Sequence, residues 1–127
     1  MWYDCLERTE FLRKLYKEIP SLDDVDVRIE SLVISDEGSR VTICFDMPHY
    51  ADFPPEKWSG SNTAFVELDF FGITKLEFST TSSRYRGKIV IAKNAEGLLK
   101  VGIRGNLNLD ILADCGLLQH VKAYLQE

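Results

Sequence analysis

The chain has 127 residues, of which 45% are hydrophobic and 28% charged, values typical of one globular domain and not of a disordered segment. Its formal net charge is −5, and the acids are concentrated in residues 1–56, where 13 acidic side chains stand against 6 basic ones. An acidic surface repels nucleic acid and attracts basic partners, although many acidic surfaces only keep a protein in solution.

The cysteines and the N-terminal region indicate a cytoplasmic protein. Cys5, Cys44 and Cys115 form an odd set without a CxxC pair, which argues against a disulfide framework or a zinc site. Charged residues interrupt the first 14 positions, so no signal peptide is expected, and no apolar run approaches the roughly 18–20 residues of a membrane span.

Residues 5–18 are predicted to form a helix. Asp4 is a candidate N-cap with Glu7 three residues later, and Thr9 is a later candidate cap. Pro20 prevents the helix from continuing. The residues at helical spacing that predict a core-facing stripe are Leu12, Leu15, Tyr16 and Ile19.

After this helix, the alternation of apolar and polar residues predicts about seven strands. The first begins at Val25, and its alternation slips by one residue near Ser31, which predicts a β-bulge. The second runs from Val41 to Met47 and ends before Pro48. The other predicted strands cover residues 64–71, 73–79, 84–92, 99–104 and 107–111. Short turns between the strands predict an antiparallel meander.

The C-terminal segment, residues 116–126, is predicted to be a second helix. Its apolar stripe consists of Leu117, Val121, Tyr124 and Leu125. The predicted fold class is therefore α+β. It consists of an antiparallel meander of about seven strands, either a twisted sheet or a half-open barrel, with an N-terminal and a C-terminal helix. Residues 1–127 form one predicted domain, and neither a linker nor an internal repeat is visible.

The search for catalytic and metal-binding motifs gives no constellation. His49 lies near Asp46 and Asp52, but no nucleophile or third group accompanies the pair, and His120 is expected to be structural. The acids at 23, 24 and 26 lack the spacing of a calcium-binding loop. We therefore predict that the protein is not an enzyme and binds no cofactor.

Five basic residues on two adjacent strands form a candidate nucleic-acid face. They are Arg84, Arg86, Lys88, Lys100 and Arg104. Because Tyr85 points to the other face by parity, the aromatic residues needed for base stacking are missing. An ordinary charged sheet surface is favoured, and no nucleic-acid partner is expected.

A strand followed by a proline-rich loop carries a resemblance to a known family. The motif Phe45-Asp-Met-Pro48 followed by Phe53-Pro-Pro-Glu-Lys-Trp58 resembles immunity protein 50 of bacterial polymorphic toxin systems. Shorter pieces that also resemble it are Met1–Asp4, Ile19–Val25, Phe70–Ile73, Gly97–Val101, Ala113–Asp114 and Ala123–Leu125. The chain departs from the family after Phe78, where Ser79–Ser83 replaces an expected Gly-Trp-like pair.

The resemblance implies a non-enzymatic protein that protects the cell by binding a cognate secreted toxin domain in the cytoplasm. A basic toxin, such as a nuclease, would suit the acidic half of the chain. In our hypothesis, three acids steer the encounter and one or more of three aromatic residues anchor the complex. These residues are Asp46, Tyr50, Asp52, Phe53, Glu56 and Trp58. The alternative is that Phe53 and Trp58 only pin the loop to the core.

Two other functions remain open at this stage. By parity, Phe65 and Phe71 point away from the core, so a curved sheet and the loop would be able to hold an apolar ligand between them. Alternatively, the same two aromatic residues form the subunit interface of a structural homo-oligomer. The protein is accordingly predicted to be a monomer or a homodimer.

Overall fold

The computed structural model describes the whole chain, Met1–Glu127, as a single eight-stranded antiparallel sheet with few helices. The helical elements are a 3₁₀ helix at Trp2–Cys5, helix α1 at Glu10–Leu15, and 3₁₀ turns at Asp36–Gly38 and Glu56–Trp58. The strands are β1 (Asp26–Ser35), β2 (Arg40–Asp46), β3 (Thr63–Phe71), β4 (Lys75–Thr80), β5 (Arg86–Lys93), β6 (Leu99–Gly105), β7 (Leu107–Ala113) and β8 (Cys115–Tyr124). No helix is both long and apolar enough to cross a membrane.

The sheet consists of two three-stranded meanders that meet through β1 and β5. The strand order is β4-β7-β6-β5-β1-β2-β3-β8, so β1–β2–β3 and β5–β6–β7 each follow the predicted meander. The fourth strand instead pairs with β7, and β8 pairs with β3. The meander prediction is therefore confirmed within each half but not for the sheet as a whole.

The sheet curls without closing. The β3–β4 and β7–β8 connections cross between its two edges and touch each other, since the Asp114 N–H donates to the Phe71 carbonyl at 3.0 Å. Beside them, the Thr74 N–H donates to the Leu112 carbonyl at 2.9 Å. Side chains from both halves fill the interior, among them Ile43, Phe45, Leu68, Phe70, Ile103 and Leu109.

The N-terminal segment covers this core and differs from its prediction. The helix occupies only Glu10–Leu15, because Arg8 has a φ of 61° and Glu7 is hydrogen-bonded to β8. The Glu7 N–H donates to the Gly116 carbonyl at 3.0 Å, and the Glu7 carbonyl accepts from Leu118 at 2.9 Å. The N-cap position is Thr9, not Asp4. Three members of the predicted stripe are confirmed as buried: Leu12, Leu15 and Tyr16.

The predicted C-terminal helix is wrong, because residues Cys115–Tyr124 form the edge strand β8. This strand pairs with β3 from end to end, and its register shifts where Glu67 faces His120 but Leu68 faces Leu118. Gln119 is the extra residue of this bulge. The extra residue lengthens the spacing between successive inward-facing apolar residues from two positions to three. A spacing of three is also found in helices, so the sequence pattern resembles that of a helix.

A second bulge confirms the slip predicted in β1. Ile29 faces Phe45 and Ser31 faces Cys44, which leaves Glu30 as the extra residue. The first strand also pairs with β5, but only over Asp26–Arg28. On the outer face of the sheet, polar residues of β1, β2, β3 and β8 lie close together near Arg28.

Candidate partner-binding surface

The proline-rich loop between β2 and β3 is fixed to α1 by its aromatic residues. The Trp58 side chain is buried and lies edge-on to Phe11, with ring centroids 6.4 Å apart. Tyr50 packs on the other side at 6.2 Å. The Phe53 N–H donates to the Leu15 carbonyl at 2.9 Å. Trp58 is thus part of the core, as the alternative interpretation of this residue predicted.

Three predicted residues of the loop remain accessible. The Phe53 side chain is 58% exposed although its backbone is anchored, and Asp52 and Glu56 are exposed on either side of it. The Asp52 carboxylate accepts a hydrogen bond from the Lys17 N–H at 2.9 Å, which holds it in place. We call Asp52, Phe53 and Glu56 the loop surface. It combines one apolar side chain with two acids.

Asp46, unlike the residues of the loop surface, is buried. It ends β2, points to the outer face and is only 7% exposed. Its Oδ2 accepts the Tyr124 hydroxyl at 2.7 Å, whereas its buried Oδ1 has no protein donor. A buried acceptor without a partner costs about 1–3 kcal/mol of folding free energy.

A polar cleft surrounds Asp46. One cavity of about 380 Å³ extends from Asp46 and Arg28 toward Met47 and Asn62. A second, of about 340 Å³, is lined by Arg28, Glu30, Asp46, Phe65 and Tyr124. Because Arg28 and Asp46 line both cavities, we treat the two as one feature and call it the Asp46 cleft.

Tyr124 connects the charged residues of the Asp46 cleft. Its hydroxyl oxygen lies 3.5 Å from Arg28 Nη1, and the hydroxyl donates to Asp46. Burial, reinforced by the hydrogen bond to the negative Asp46, raises the pKa of Tyr124 to about 12. The phenol therefore stays neutral and donates throughout the physiological range.

A second buried acid stabilises the outer face beyond the cleft. Asp69 on β3 has no exposed surface and accepts from Arg40 at 2.8 Å and from the Thr42 hydroxyl. The Arg40 guanidinium also covers the Phe71 ring at 5.4 Å. Phe71 is therefore half-buried, with a charged guanidinium over its ring.

Phe65, the other outward aromatic residue, is half-buried and lines the Asp46 cleft. Its ring packs edge-on against Tyr124 at 5.8 Å, inside the charged Asp46 cleft. The structure thus separates Phe65 from Phe71 and gives them no common apolar cavity with the loop. The homo-oligomer hypothesis is not tested by these contacts.

The basic strand face is largely neutralised by ion pairs. Arg86 binds Asp26 at 2.9 Å, and Lys88 binds Asp24 at 2.8 Å. On the neighbouring strands, Arg104 binds Asp110 at 2.7 Å. These pairs correspond to the ordinary charged surface that the sequence favoured.

The histidine and the two acids considered for acid–base chemistry lie in two places: His49 and Asp52 line one pocket, whereas Asp46 lies in the cleft. His49 is exposed, and its backbone carbonyl accepts the Tyr16 hydroxyl at 2.7 Å. His120 lies on β8 opposite Glu67 and not on a helix. No group of three or more His, Cys, Asp or Glu side chains is placed to hold a metal ion.

The six predicted partner-binding residues thus divide into three groups. Tyr50 and Trp58 pack together, the loop surface is exposed, and Asp46 lies in the cleft, which Tyr50 also lines. Sequence reasoning missed the other cleft residues: Arg28, Glu30 and Tyr124. The outward parity of β1 marks the first two, but Tyr124 was assigned to a helix. Whether these groups bind a partner stays a prediction.

Comparison with known proteins identifies a family but no characterised relative. The family model described as immunity protein 50 matches residues 8–122. No curated protein matches the sequence. The crystal structure of an uncharacterized protein from Neisseria gonorrhoeae is similar with a TM-score of 0.50 at 13% sequence identity. The match covers 76% of this chain and 90% of that one, and it supports the fold alone.

Proposed function

Since this chain belongs to the immunity protein 50 family, we propose that it binds a cognate secreted toxin domain in the cytoplasm and thereby neutralises it without catalysis. The observation that carries the proposal is the family match, which spans nearly the entire sheet. The loop surface supports it, because an exposed phenylalanine between two acids on a well-anchored loop is suited to a protein partner.

The charge of the loop surface favours a basic toxin domain. Asp52 and Glu56 are both exposed, and each would attract a basic cleft such as that of a nuclease during the encounter. Phe53 would then lose its exposed area to the toxin. In this scheme Trp58 acts indirectly, since it holds the loop in place from the core.

Co-expression provides the test of neutralisation. A candidate toxin domain, taken from the neighbouring genes, is expressed in a bacterial host with or without this protein, and growth is measured. We expect growth to be restored only when the protein is present. Purified toxin and protein should form a complex by calorimetry. No complex and no growth rescue would refute the proposed function.

Charge reversal locates the interface on the loop surface. The double variant Asp52→Lys, Glu56→Lys should slow association with a basic toxin at least tenfold in low salt, an effect that should shrink as salt rises. The double variant Glu77→Lys, Glu96→Lys is a matched control with the same change of net charge, because both residues are exposed and lie outside the loop. Equal association rates for all three proteins would place the toxin elsewhere.

A further inference from the structure

The starting observation is a buried carboxylate that the fold leaves incompletely satisfied. Asp46 is more than nine-tenths buried, and its Oδ2 is held by the Tyr124 hydroxyl at 2.7 Å. Oδ1 has no protein donor. Since buried carboxylates are normally paired or hydrogen-bonded at both oxygens, this group is a candidate for an external donor.

The nearest cations are held mainly by other acids, although Arg28 also forms a longer ion pair with Asp46. Arg28 Nη2 forms a close ion pair with Glu30, and its Nη1 stands 3.7 Å from Asp46 Oδ2, outside hydrogen-bonding distance. Across the cleft, Arg86 binds Asp26 at 2.9 Å. Among the carboxylates lining the cleft, Asp46 alone therefore lacks a cation in direct hydrogen-bond contact.

The walls of the cleft favour a flat cation on an apolar stem. Phe65 and Tyr124 present an edge-to-face aromatic pair beside Asp46, and Val27, Met47 and Pro48 supply apolar lining in the adjoining cavity. A guanidinium stacks on aromatic faces, carries donors in a fixed plane and loses less hydration than an ammonium. An arginine side chain is thus better matched to this cleft than a lysine side chain.

We propose that the Asp46 cleft receives an arginine side chain of the partner protein, whose guanidinium donates to the Asp46 carboxylate. This inference rests on the proposed function for the identity of the partner, but the cleft itself can be probed without the toxin. Because Oδ1 is buried and Tyr124 holds Oδ2, the guanidinium would reach Oδ1 only when the side chains that cover it move aside.

Ethylguanidinium is the probe for the cleft. It is titrated into the full-length protein at constant ionic strength while backbone amide shifts are followed by NMR. We expect saturable shifts in the millimolar range at Asp46, Phe65 and Tyr124. Neutral ethylurea, which has a similar shape, should give none. Ethylammonium should bind more weakly than ethylguanidinium.

Two matched variants separate cleft binding from general attraction to an acidic protein. Asp46→Asn keeps the shape of the side chain but removes its charge, and should weaken the ethylguanidinium response at least tenfold. Glu96→Gln removes one exposed charge from the β5–β6 turn and should leave the response unchanged. Thermal unfolding of each variant confirms that it is folded. A response that ethylurea reproduces, or that survives Asp46→Asn, or that is absent in the wild-type protein, overturns the proposal.

Binding to the toxin domain is the second test of the proposal. Asp46→Asn should raise the dissociation constant for the toxin domain at least tenfold, mainly through faster dissociation, because a buried charge pair is lost. A toxin that binds Asp46→Asn as tightly as wild type overturns the assignment of the cleft and leaves the proposed function standing. A toxin that binds neither protein refutes the proposed function, whereas the ethylguanidinium titration still decides the cleft.

Discussion

Replacement of Trp58 by alanine separates the two roles considered for this residue. The side chain is 6% exposed and is enclosed by Phe11 and Tyr50, so truncation removes a large part of the contact between the loop and α1. A buried tryptophan contributes roughly 150–250 Å² of burial, which at ~25 cal/mol/Å² corresponds to about 4–6 kcal/mol as an upper bound. Measured substitutions of this kind cost about 3–5 kcal/mol, and we expect a loss in that range.

The assay is urea unfolding followed by far-ultraviolet circular dichroism, since the substitution removes one of only two tryptophans and changes the fluorescence signal. Phe53→Ala is the matched control. Because Phe53 is 58% exposed, it should change the free energy of unfolding by no more than about 0.5 kcal/mol. A Trp58→Ala protein within about 1 kcal/mol of wild type would refute the core assignment and return Trp58 to the interface.

Three further predictions concern the sheet and the cleft. Asp69→Ala leaves the Arg40 guanidinium without its buried partner and should cost about 3–5 kcal/mol in chemical denaturation; equal stability would contradict this. The raised pKa of Tyr124 stabilises the fold fully below pH 10, the ordinary tyrosine value, and this stabilisation is lost as pH rises toward about 12. Ultraviolet titration should therefore lose one late-ionising phenol in Tyr124→Phe, and an unchanged titration curve would contradict the assignment. In Gly105→Ala, the new Cβ would lie 2.0 Å from the Arg86 carbonyl, so melting should show a loss of about 1–3 kcal/mol; an unchanged melting temperature would argue against this close approach.

The strands with regular alternation were predictable from the sequence. Three strands, β2, β6 and β7, each keep one apolar face without interruption, and the structure confirms that these apolar residues are buried. The slip in β1 was also readable, because one extra residue at Glu30 reverses the phase of an otherwise regular pattern. Period-two alternation determines which face is buried before any partner strand is known.

The C-terminal strand was not predictable in the same way. Its bulge places Leu118 and Val121 three residues apart, a spacing shared with helices. The N-terminal helix was overestimated for a related reason: Glu7 bonds to β8, a partner that local sequence does not reveal. Both errors come from long-range pairing that overrides a local pattern.

The candidate site, like the fold, was predictable from the sequence only in part. The exposure of Asp52 and Glu56 agrees with their place in a polar, proline-rich loop. The alternation of β2 places Asp46 on the outer face, but its burial depends on Tyr124, which approaches from the misassigned C-terminal segment. The Asp46 cleft was therefore invisible until β8 was placed beside β3.

The bond between Glu7 and β8 links nearly the first residues of the chain to nearly the last. Such a contact closes a loop of almost the full chain length, and long-range pairing of this kind slows folding. During synthesis, β3 would remain an uncovered edge and the N-terminal segment would lack its hydrogen-bond partner until β8 leaves the ribosome. The complete sheet is thus attainable only after β8 has been synthesised, so every growing chain must first pass through an interval in which β3 is an exposed edge strand.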